Sequence, residues 1–158
     1  MTALTANKQR PVRVPPGGLN LQKVPLAGYT NRGAGNVAFK CYKGAVIVCD
    51  VSDTDGYFGP EDMNSASGDV FGGIAMEFQQ VTSDDTADGS VTLMVAANGV
   101  WGFPVASVAI TDIGATIYAT DTDAVTTGSS NAIAIGTLVD YDTTYAWVDI
   151  SNFWMKPI

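Results

Sequence analysis

The chain has 158 residues, a net charge of −8, two cysteines and no histidine. This length suits one domain, and a hydrophobic share of 46% is enough for a buried core. The absence of histidine excludes Ser-His-Asp and Cys-His catalysis and histidine-ligated metals, and two cysteines cannot build the usual zinc site. We therefore expect no metal and no other cofactor.

The charges are divided unequally along the chain. Residues 1–43 contain seven of the eight basic residues and none of the sixteen acidic ones, so this part carries +7 and the remainder −15. Such an asymmetry is typical of a basic interaction segment attached to a body of opposite sign. Because the acidic body would repel phosphates, we expect no nucleic acid among the partners.

No apolar run reaches the roughly 18 residues that predict a membrane span, so we expect no membrane contact. The first residues lack the basic and then apolar pattern of a signal peptide, which predicts synthesis in a cytoplasm. Cys41 and Cys49 are then expected to be reduced, with a disulfide across neighbouring strands as the alternative.

Residues 1–36 are predicted to form an extended N-terminal arm. Four prolines and several glycines, among them Gly17-Gly18, leave neither helical nor strand periodicity. Valines and leucines recur along this stretch, which a purely solvating tail would not need, so an arm that orders on a partner is favoured over a disordered tail. Its candidate contacts with a partner or with a neighbouring subunit are the basic residues Lys8, Arg10, Arg13, Lys23 and Arg32.

Residues 37–158 are predicted to form a single all-β domain, a compact barrel or sandwich of about eight short strands with no long helix. Gly72-Gly73 predicts a bulge or bend, and Asn98-Gly99 is the strongest hairpin signal in the chain. Residues 52–69 and 82–89 are predicted loops, and 105–113 a single helical turn. The predicted strands are 37–42, 45–51, 70–79, 90–96, 100–103, 115–120, 124–127, 133–141 and 144–150.

Five aromatic residues in or near these strands are candidates for the core or for a subunit interface. Aromatic side chains in short strands are more often buried than exposed to a ligand, although a carbohydrate-stacking platform is the alternative. The candidates are Trp101, Phe103, Tyr118, Trp147 and Trp154.

Pairs of aspartates occur at two predicted turns, Asp53/Asp55 and Asp121/Asp123. Each pair has the spacing of two cation ligands, but neither continues into the glycine and glutamate positions of a calcium loop. Because aspartate also favours turns through local hydrogen bonds, turns are the prediction and a weak cation site the alternative. The acidic loop 82–89 is likewise predicted to be solvated.

The stretch 136–150, GTLVDYDTTYAWVDI, places two strands around a polar step at Asp142. Strand alternation predicts Leu138 and Asp140 on one face and Val139 on the other. A hairpin with Asp140, Asp142 and Asp149 on its solvent side explains these acids. Catalytic carboxylates, as in a hydrolase, would require a cleft and two separated pKa values. We therefore expect no catalytic residues and no enzyme.

Residues 99–150 contain four short motifs in a recognisable order: Gly99–Pro104 (GVWGFP), Ile113–Asp121 (IGATIYATD), Ile135–Leu138 (IGTL) and Trp147–Ile150 (WVDI). With this order of parts, the chain resembles the capsid decoration proteins, or head cement proteins, of tailed bacteriophages. The resemblance extends over about residues 40–150 and rests on turn and core positions. It does not cover residues 1–36.

The resemblance implies a viral structural protein on the virion, a β domain on the outer surface of the capsid that is made in the host cytoplasm. Such a head protein bridges subunits of the major capsid protein and often forms a homo-oligomer, a trimer in particular. An extended arm can add a strand to a neighbouring sheet, so removing residues 2–36 is expected to abolish capsid binding and leave the body folded. A receptor- or glycan-binding β module on a phage head or tail is the alternative.

Overall fold

The computed structural model describes residues 4–31, 36–51, 54, 56–60 and 68–156. These residues form thirteen strands and one 3₁₀ turn at Ile110–Asp112, with no α-helix among them. The all-β prediction is confirmed. The strands are β1 Val12–Arg13, β2 Leu21–Pro25, β3 Phe39–Cys41, β4 Val46–Asp50, β5 Tyr57–Gly59, β6 Val70–Ala75, β7 Gln79–Val81, β8 Thr92–Ala96, β9 Val100–Pro104, β10 Thr116–Asp121, β11 Ala124–Thr126, β12 Ile133–Tyr141 and β13 Tyr145–Asp149.

The thirteen described strands outnumber the nine ranges that were predicted. β1 and β2 lie in the predicted arm, and β5 lies in the predicted loop 52–69. The predicted strand 70–79 is divided into β6 and the start of β7. β1 and β5, with two and three residues, are too short to show an alternation of polar and apolar residues. β2 has five residues but contains Pro25, which counts against a strand unless the strand lies at a sheet edge.

The strands form three antiparallel sheets that pack as a sandwich. The six-stranded sheet has the order β1-β9-β13-β12-β10-β11, and the five-stranded sheet has the order β2-β8-β6-β4-β5. β3 and β7 form a separate pair. Leu26, directly after β2, makes a parallel bridge to Phe58 in β5, and the Ala27 amide donates to the Phe58 carbonyl at 3.0 Å. The two edges of the five-stranded sheet therefore meet at this bridge.

The central strands β4 and β6 are buried on both faces, between two hydrophobic cores. One core lies between the two large sheets and contains Val48 and Phe71. The other lies on the far side of the five-stranded sheet and contains Ile47 and Leu93. Double burial explains why β4 is continuously apolar instead of alternating.

The bulge predicted at Gly72-Gly73 is present in β6. Ile47 pairs with Gly73 and the next residue, Val48, pairs with Phe71, so Gly72 has no opposite residue. Gly73 has a φ of 111°, in the region that favours glycine. The Trp154 indole donates to the Gly72 carbonyl at 3.1 Å, so the C-terminal residues bind the sandwich at its bulge.

The hairpin prediction at Asn98-Gly99 is wrong. β8, before this turn, pairs with β2 and β6, whereas β9, after it, pairs with β1 and β13. The turn thus passes the chain from one large sheet to the other. Gly99 has the positive φ, 104°, that the sequence signal predicts, but long-range burial determines which strands pair.

The β12–β13 and β10–β11 hairpins form as predicted, with one correction to the exposed face of β12. Leu138 pairs with Val148 and Asp140 pairs with Trp147, so Val139 forms a bulge. Leu138 is completely buried and Val139 is 43% exposed. Alternation had predicted the opposite, with Leu138 on the solvent side and Val139 on the core side. The cause is an earlier bulge in β12: Ile117 pairs with Gly136 and Tyr118 pairs with Ala134, so Ile135 has no opposite residue. One extra residue in a strand reverses the faces beyond it, and both Leu138 and Val139 lie beyond Ile135.

Candidate functional site: the N-terminal segment and its anchors

Residues 4–31, here called the N-terminal segment, lie on the sandwich of their own chain. β1 pairs with β9 at one edge of the six-stranded sheet, and β2 pairs with β8 at one edge of the five-stranded sheet. Val24, Leu26 and Ala27 are at most 3% exposed and belong to the second core. The described part of the predicted arm is therefore a component of both large sheets.

Arg10 is the centre of a contact that we call the inner anchor, formed by Arg10, Lys8, Asp123 and Phe103. The residue is 2% exposed, and its guanidinium donates to the Gly44 carbonyl at 2.8 Å, the Gly102 carbonyl at 3.0 Å and Asp123 at 2.6 Å. The same group lies 4.1 Å from the centre of the Phe103 ring. Lys8 donates to both oxygens of Asp123, at 2.9 and 3.1 Å.

Burial lowers the pKa of Arg10 from its ordinary value, while the Asp123 carboxylate acts in the opposite direction. Arg10 remains charged in this site, because a guanidinium group is not deprotonated in proteins and three of its N–H groups donate to oxygen acceptors. The inner anchor thus joins the N-terminal segment to the β3–β4 turn, to β9 and to the β10–β11 turn through one cation.

Arg13 forms a second contact, the outer anchor, with Asp140 and Trp147. Its guanidinium donates to Asp140 at 2.8 Å and lies 4.1 Å from the centre of the Trp147 ring. The Trp147 indole donates in turn to Asp142 at 3.1 Å. The rings of Tyr145 and Trp147 pack edge to face with their centres 5.7 Å apart, so Trp147 contacts Arg13, Asp142 and Tyr145.

Hydrogen bonds lower the pKa of both acids at the outer anchor. For Asp140 the first cause is the bond from Arg13, followed by the amide of Tyr141. For Asp142 the first cause is the amide of Tyr145, followed by the indole of Trp147 and the amide of Thr144. These bonds favour the charged carboxylate. Asp142 closes the β12–β13 turn, the role that its sequence position predicted.

The end of the N-terminal segment contacts the acidic loop 82–89. Asp88 accepts from the Gly28 amide at 2.8 Å and from the Asn31 side chain at 2.9 Å. A Cβ atom on Gly28 would collide with the backbone carbonyl of Thr86, so glycine is required for this approach. Part of the predicted solvated loop is therefore a third anchor.

A fourth contact uses the Asn98 side chain. Its oxygen accepts from the Asn20 amide at 2.7 Å, and its nitrogen lies 3.4 Å from the Gly18 carbonyl. The Asn98-Gly99 turn, which was wrongly predicted to close a hairpin, thus joins the N-terminal segment to the connection between the two large sheets. Asn98 and Asp88 escaped sequence reasoning because their partners lie 60 to 80 residues away in the chain.

The five basic candidates of the arm fall into three groups. Lys8 and Arg10 belong to the inner anchor and Arg13 to the outer one. Lys23 is exposed on β2. Arg32 lies outside the described residues. The charge asymmetry did indicate a basic segment on an acidic body, but it did not show that the two belong to one sandwich.

The cation alternative can be examined at one of the two aspartate pairs. Asp123 is bound by Lys8 and Arg10, and Asp121 accepts from the Thr122 amide at 2.7 Å. Asp53 and Asp55 lie outside the described residues. No group of three or more potential metal-ligating side chains is found in the described part of the chain. Asp149, from the hydrolase alternative, accepts from the Ser151 amide at 3.0 Å, as a turn residue does.

The aromatic candidates divide between core and surface. Phe103 is fully buried and Trp101 is 3% exposed, with its indole donating to the Asn98 carbonyl at 2.9 Å, so neither can stack on a sugar. Tyr118 is half-buried on β10, Trp147 belongs to the outer anchor, and Trp154 binds the β6 bulge. Nothing at these positions favours the glycan-binding alternative.

Cys41 in β3 and Cys49 in β4 are both buried, and neither forms a disulfide. Burial raises the pKa of Cys49, and Asp69 and Asp50 raise it further. Its thiol donates to the Gly56 carbonyl at 3.2 Å. A thiol with a raised pKa is a poor nucleophile, which agrees with a structural role.

Helices long and apolar enough to span a bilayer are absent from the described residues. No protein-family model, curated protein or solved structure matches this chain. The resemblance to decoration proteins therefore stays a prediction, and the function has to be argued from the anchors and surfaces themselves.

Proposed function

We propose that this protein is a decoration protein of a tailed-phage head. It binds the outer surface of the capsid as a homo-oligomer, bridges subunits of the major capsid protein and stabilises the shell. It is made in the host cytoplasm, and it acts without a cofactor, a nucleic-acid partner, a membrane or catalysis.

The observation that supports this proposal most directly is the use of the carboxylates. Asp88, Asp123 and Asp140 each hold the N-terminal segment on the sandwich. Of these acids, Asp140 was weighed as a catalytic carboxylate and Asp123 as a cation ligand, and here both bind arginines of the same chain. Carboxylates that hold the two sheets of one chain together stabilise its fold, and a stable fold suits a protein that reinforces a shell.

The structure also bears on how such a protein would meet the shell. Lys8, Arg10 and Arg13 already have carboxylate partners within the chain, so binding the capsid through them would require the segment to leave its own sandwich. We therefore propose that the shell is contacted by exposed side chains of the folded sandwich. The sequence hypothesis of a free arm that reaches the shell remains the competing view.

Cryo-electron microscopy of the purified particle that carries this protein tests the proposal. We expect protruding density on the outside of the head between major capsid subunits, into which the sandwich fits with residues 4–31 on their own sheets. Density that follows residues 4–31 along a neighbouring capsid subunit would favour the free arm. Absence of the protein from the head would overturn the decoration function altogether.

A further inference from the structure

One surface of the sandwich exposes three aliphatic side chains around a carboxylate. Ile110, Ile113 and Val139 are 61%, 49% and 43% exposed, and Asp112 is half-buried between the two isoleucines in sequence. We call these four residues the acidic patch. Isolated exposed aliphatic residues are common, but a group on one surface indicates an interaction site.

The backbone brings the acidic patch together. The Gly114 amide donates to the Leu138 carbonyl at 2.8 Å, and the Leu138 amide donates to the Ala115 carbonyl at 3.0 Å. These bonds place the 3₁₀ turn beside the end of β12, where the bulge exposes Val139. Asp112 accepts from the Ala109 amide at 2.8 Å and so holds the turn.

A second surface combines apolar and basic side chains on the edge strand β2. Leu21, Lys23 and Pro25 alternate along the strand and are all exposed, with Leu21 at 47%, while Val24 between them is buried. We call Leu21, Lys23 and Pro25 the basic strip. Among the described residues, neither Lys23 nor Asp112 has an ion-pair partner.

We propose that the acidic patch of one copy of this chain binds the basic strip of a second copy. The acidic patch has three apolar side chains and one carboxylate, and the basic strip has two apolar side chains and one ammonium group. The two surfaces therefore complement each other in charge and can bury apolar side chains against each other. Two acidic patches facing each other would oppose Asp112 to Asp112, and two basic strips would oppose Lys23 to Lys23. The interface is therefore heterologous, with different surfaces on the two subunits.

A heterologous interface closes into a ring if the rotation between subunits allows it, and otherwise continues as a chain. Each surface consists of only three or four residues, whereas stable interfaces bury about 1,200 Å² or more, so we expect each contact to be weak in solution. On a symmetric shell, many such contacts act together through avidity. The inference deepens the homo-oligomer of the proposed function and rests on it for this last step only.

Complementation between two variants tests the interface. The first variant, Ile110→Ser with Ile113→Ser, removes the acidic patch, and the second, Leu21→Ser with Lys23→Ser, removes the basic strip. Both sets are exposed, so thermal unfolding of each variant should match that of the unchanged protein. A Val51→Ser variant, whose 45% exposed side chain belongs to neither surface, is the matched control.

Sedimentation equilibrium up to about 1 mM, which reaches the range of weak contacts, gives the readout. We expect the unchanged protein and Val51→Ser to self-associate, and each double variant to stay monomeric. An equimolar mixture of the two variants should form a dimer and nothing larger, since only one intact patch and one intact strip are present. Failure of the mixture to dimerise would overturn the heterologous pairing.

A monomeric unchanged protein over the whole range would also overturn the inference, as would self-association that survives in both variants. Neither result would decide the decoration function. That function is read separately, from whether each variant still co-sediments with the phage head. Loss of head binding with unchanged self-association would locate the shell contact on the substituted surface instead.

Discussion

The inner and outer anchors use the same chemistry in different surroundings. In each, an arginine of the N-terminal segment meets an aspartate at or near a turn and an aromatic ring at 4.1 Å. The Arg10 side chain is 0% exposed and that of Asp123 16%, whereas Arg13 and Asp140 are 49% and 48% exposed. The comparison therefore separates the contribution of the ion pair itself to stability from the cost of leaving a buried charge without its partner.

Burial is the difference that matters for stability. A buried arginine that loses its carboxylate is left as an uncompensated charge, and a buried carbonyl that loses its donor is left unsatisfied. An exposed arginine that loses its partner is simply hydrated, so exposed pairs contribute little. We therefore expect the inner anchor to determine whether the N-terminal segment stays bound, and the outer anchor to adjust its position.

Deleting residues 2–36 removes both anchors and is expected to have the largest effect. The deletion takes Val24, Leu26 and Ala27 from the second core and leaves β8 without its neighbour at the sheet edge. Contrary to the sequence expectation of a folded body, we now expect loss of cooperative thermal unfolding and aggregation through the open edge. A soluble truncated protein with a sharp melting transition would show that the segment is separable after all.

Arg10→Met compared with Arg13→Met measures the difference between the anchors directly. Breaking a buried pair costs about 3–5 kcal/mol, so Arg10→Met should lower the free energy of unfolding by that amount. Arg13→Met should cause a several-fold smaller loss. Urea denaturation at neutral pH provides both values, and equal losses would contradict the role of burial.

Arg10→Met combined with Asp123→Leu is the control for the first variant. The double variant removes both the arginine and the carboxylate, so no carboxylate is left without Arg10, although Lys8 loses its partner. It should therefore recover part of the lost stability. If the double variant lost more free energy of unfolding than the two single variants lose together, a different cause would be indicated.

Glycine substitutions test the close approach of the segment at two further places. A Cβ on Gly102 would lie 2.7 Å from Pro11 Cγ, and one on Gly28 would collide with the Thr86 carbonyl. Each alanine variant is expected to lose about 1–3 kcal/mol, as overpacked sites do. Gly128→Ala, where the nearest contact is an ordinary 3.8 Å, is the matched control and should be close to neutral.

The smallest effect concerns acid titration at the outer anchor. Asp140 has a lowered pKa in the folded protein, so its contribution to stability is present above its unfolded pKa and is lost as the pH falls through the folded pKa. In Arg13→Met the first cause of the lowering is gone, and the pKa of Asp140 should rise toward its ordinary value. An NMR titration of the carboxyl carbon measures this, and an unchanged pKa would remove Arg13 as the cause.

Local sequence patterns predicted the parts of the fold that depend on neighbouring residues. The β10–β11 and β12–β13 hairpins, the Gly72 bulge and the 3₁₀ turn at Ile110–Asp112 each follow from backbone preferences over a few residues. The exposed face of β12 was wrong for Leu138 and Val139 because alternation was counted through the bulge at Ile135, which reverses the faces of the residues beyond it.

The candidate site was predicted in its residue types but not in its connections. Arg10 and Arg13 were identified as contacts of a basic arm. Asp123 was identified as an acid at a turn, and Asp140 as an acid on the solvent side of a hairpin. That these four form two pairs within one chain could not be predicted, since 113 residues separate Arg10 from Asp123. Nor could the sequence distinguish Arg10 from Arg13, because burial depends on which sheet edge each residue meets.

By itself, the sequence determined the all-β class, the opposite charges of its two parts and the absence of histidine chemistry. These are properties of composition and of short-range periodicity. Only the tertiary structure decided that the N-terminal segment completes both sheets, that Asn98-Gly99 joins two sheets instead of closing a hairpin, and which carboxylate holds which arginine. Those outcomes depend on the apolar surface and the unpaired strand edges that remain after the other strands have packed. Because this depends on the whole chain, no short stretch of sequence predicts it.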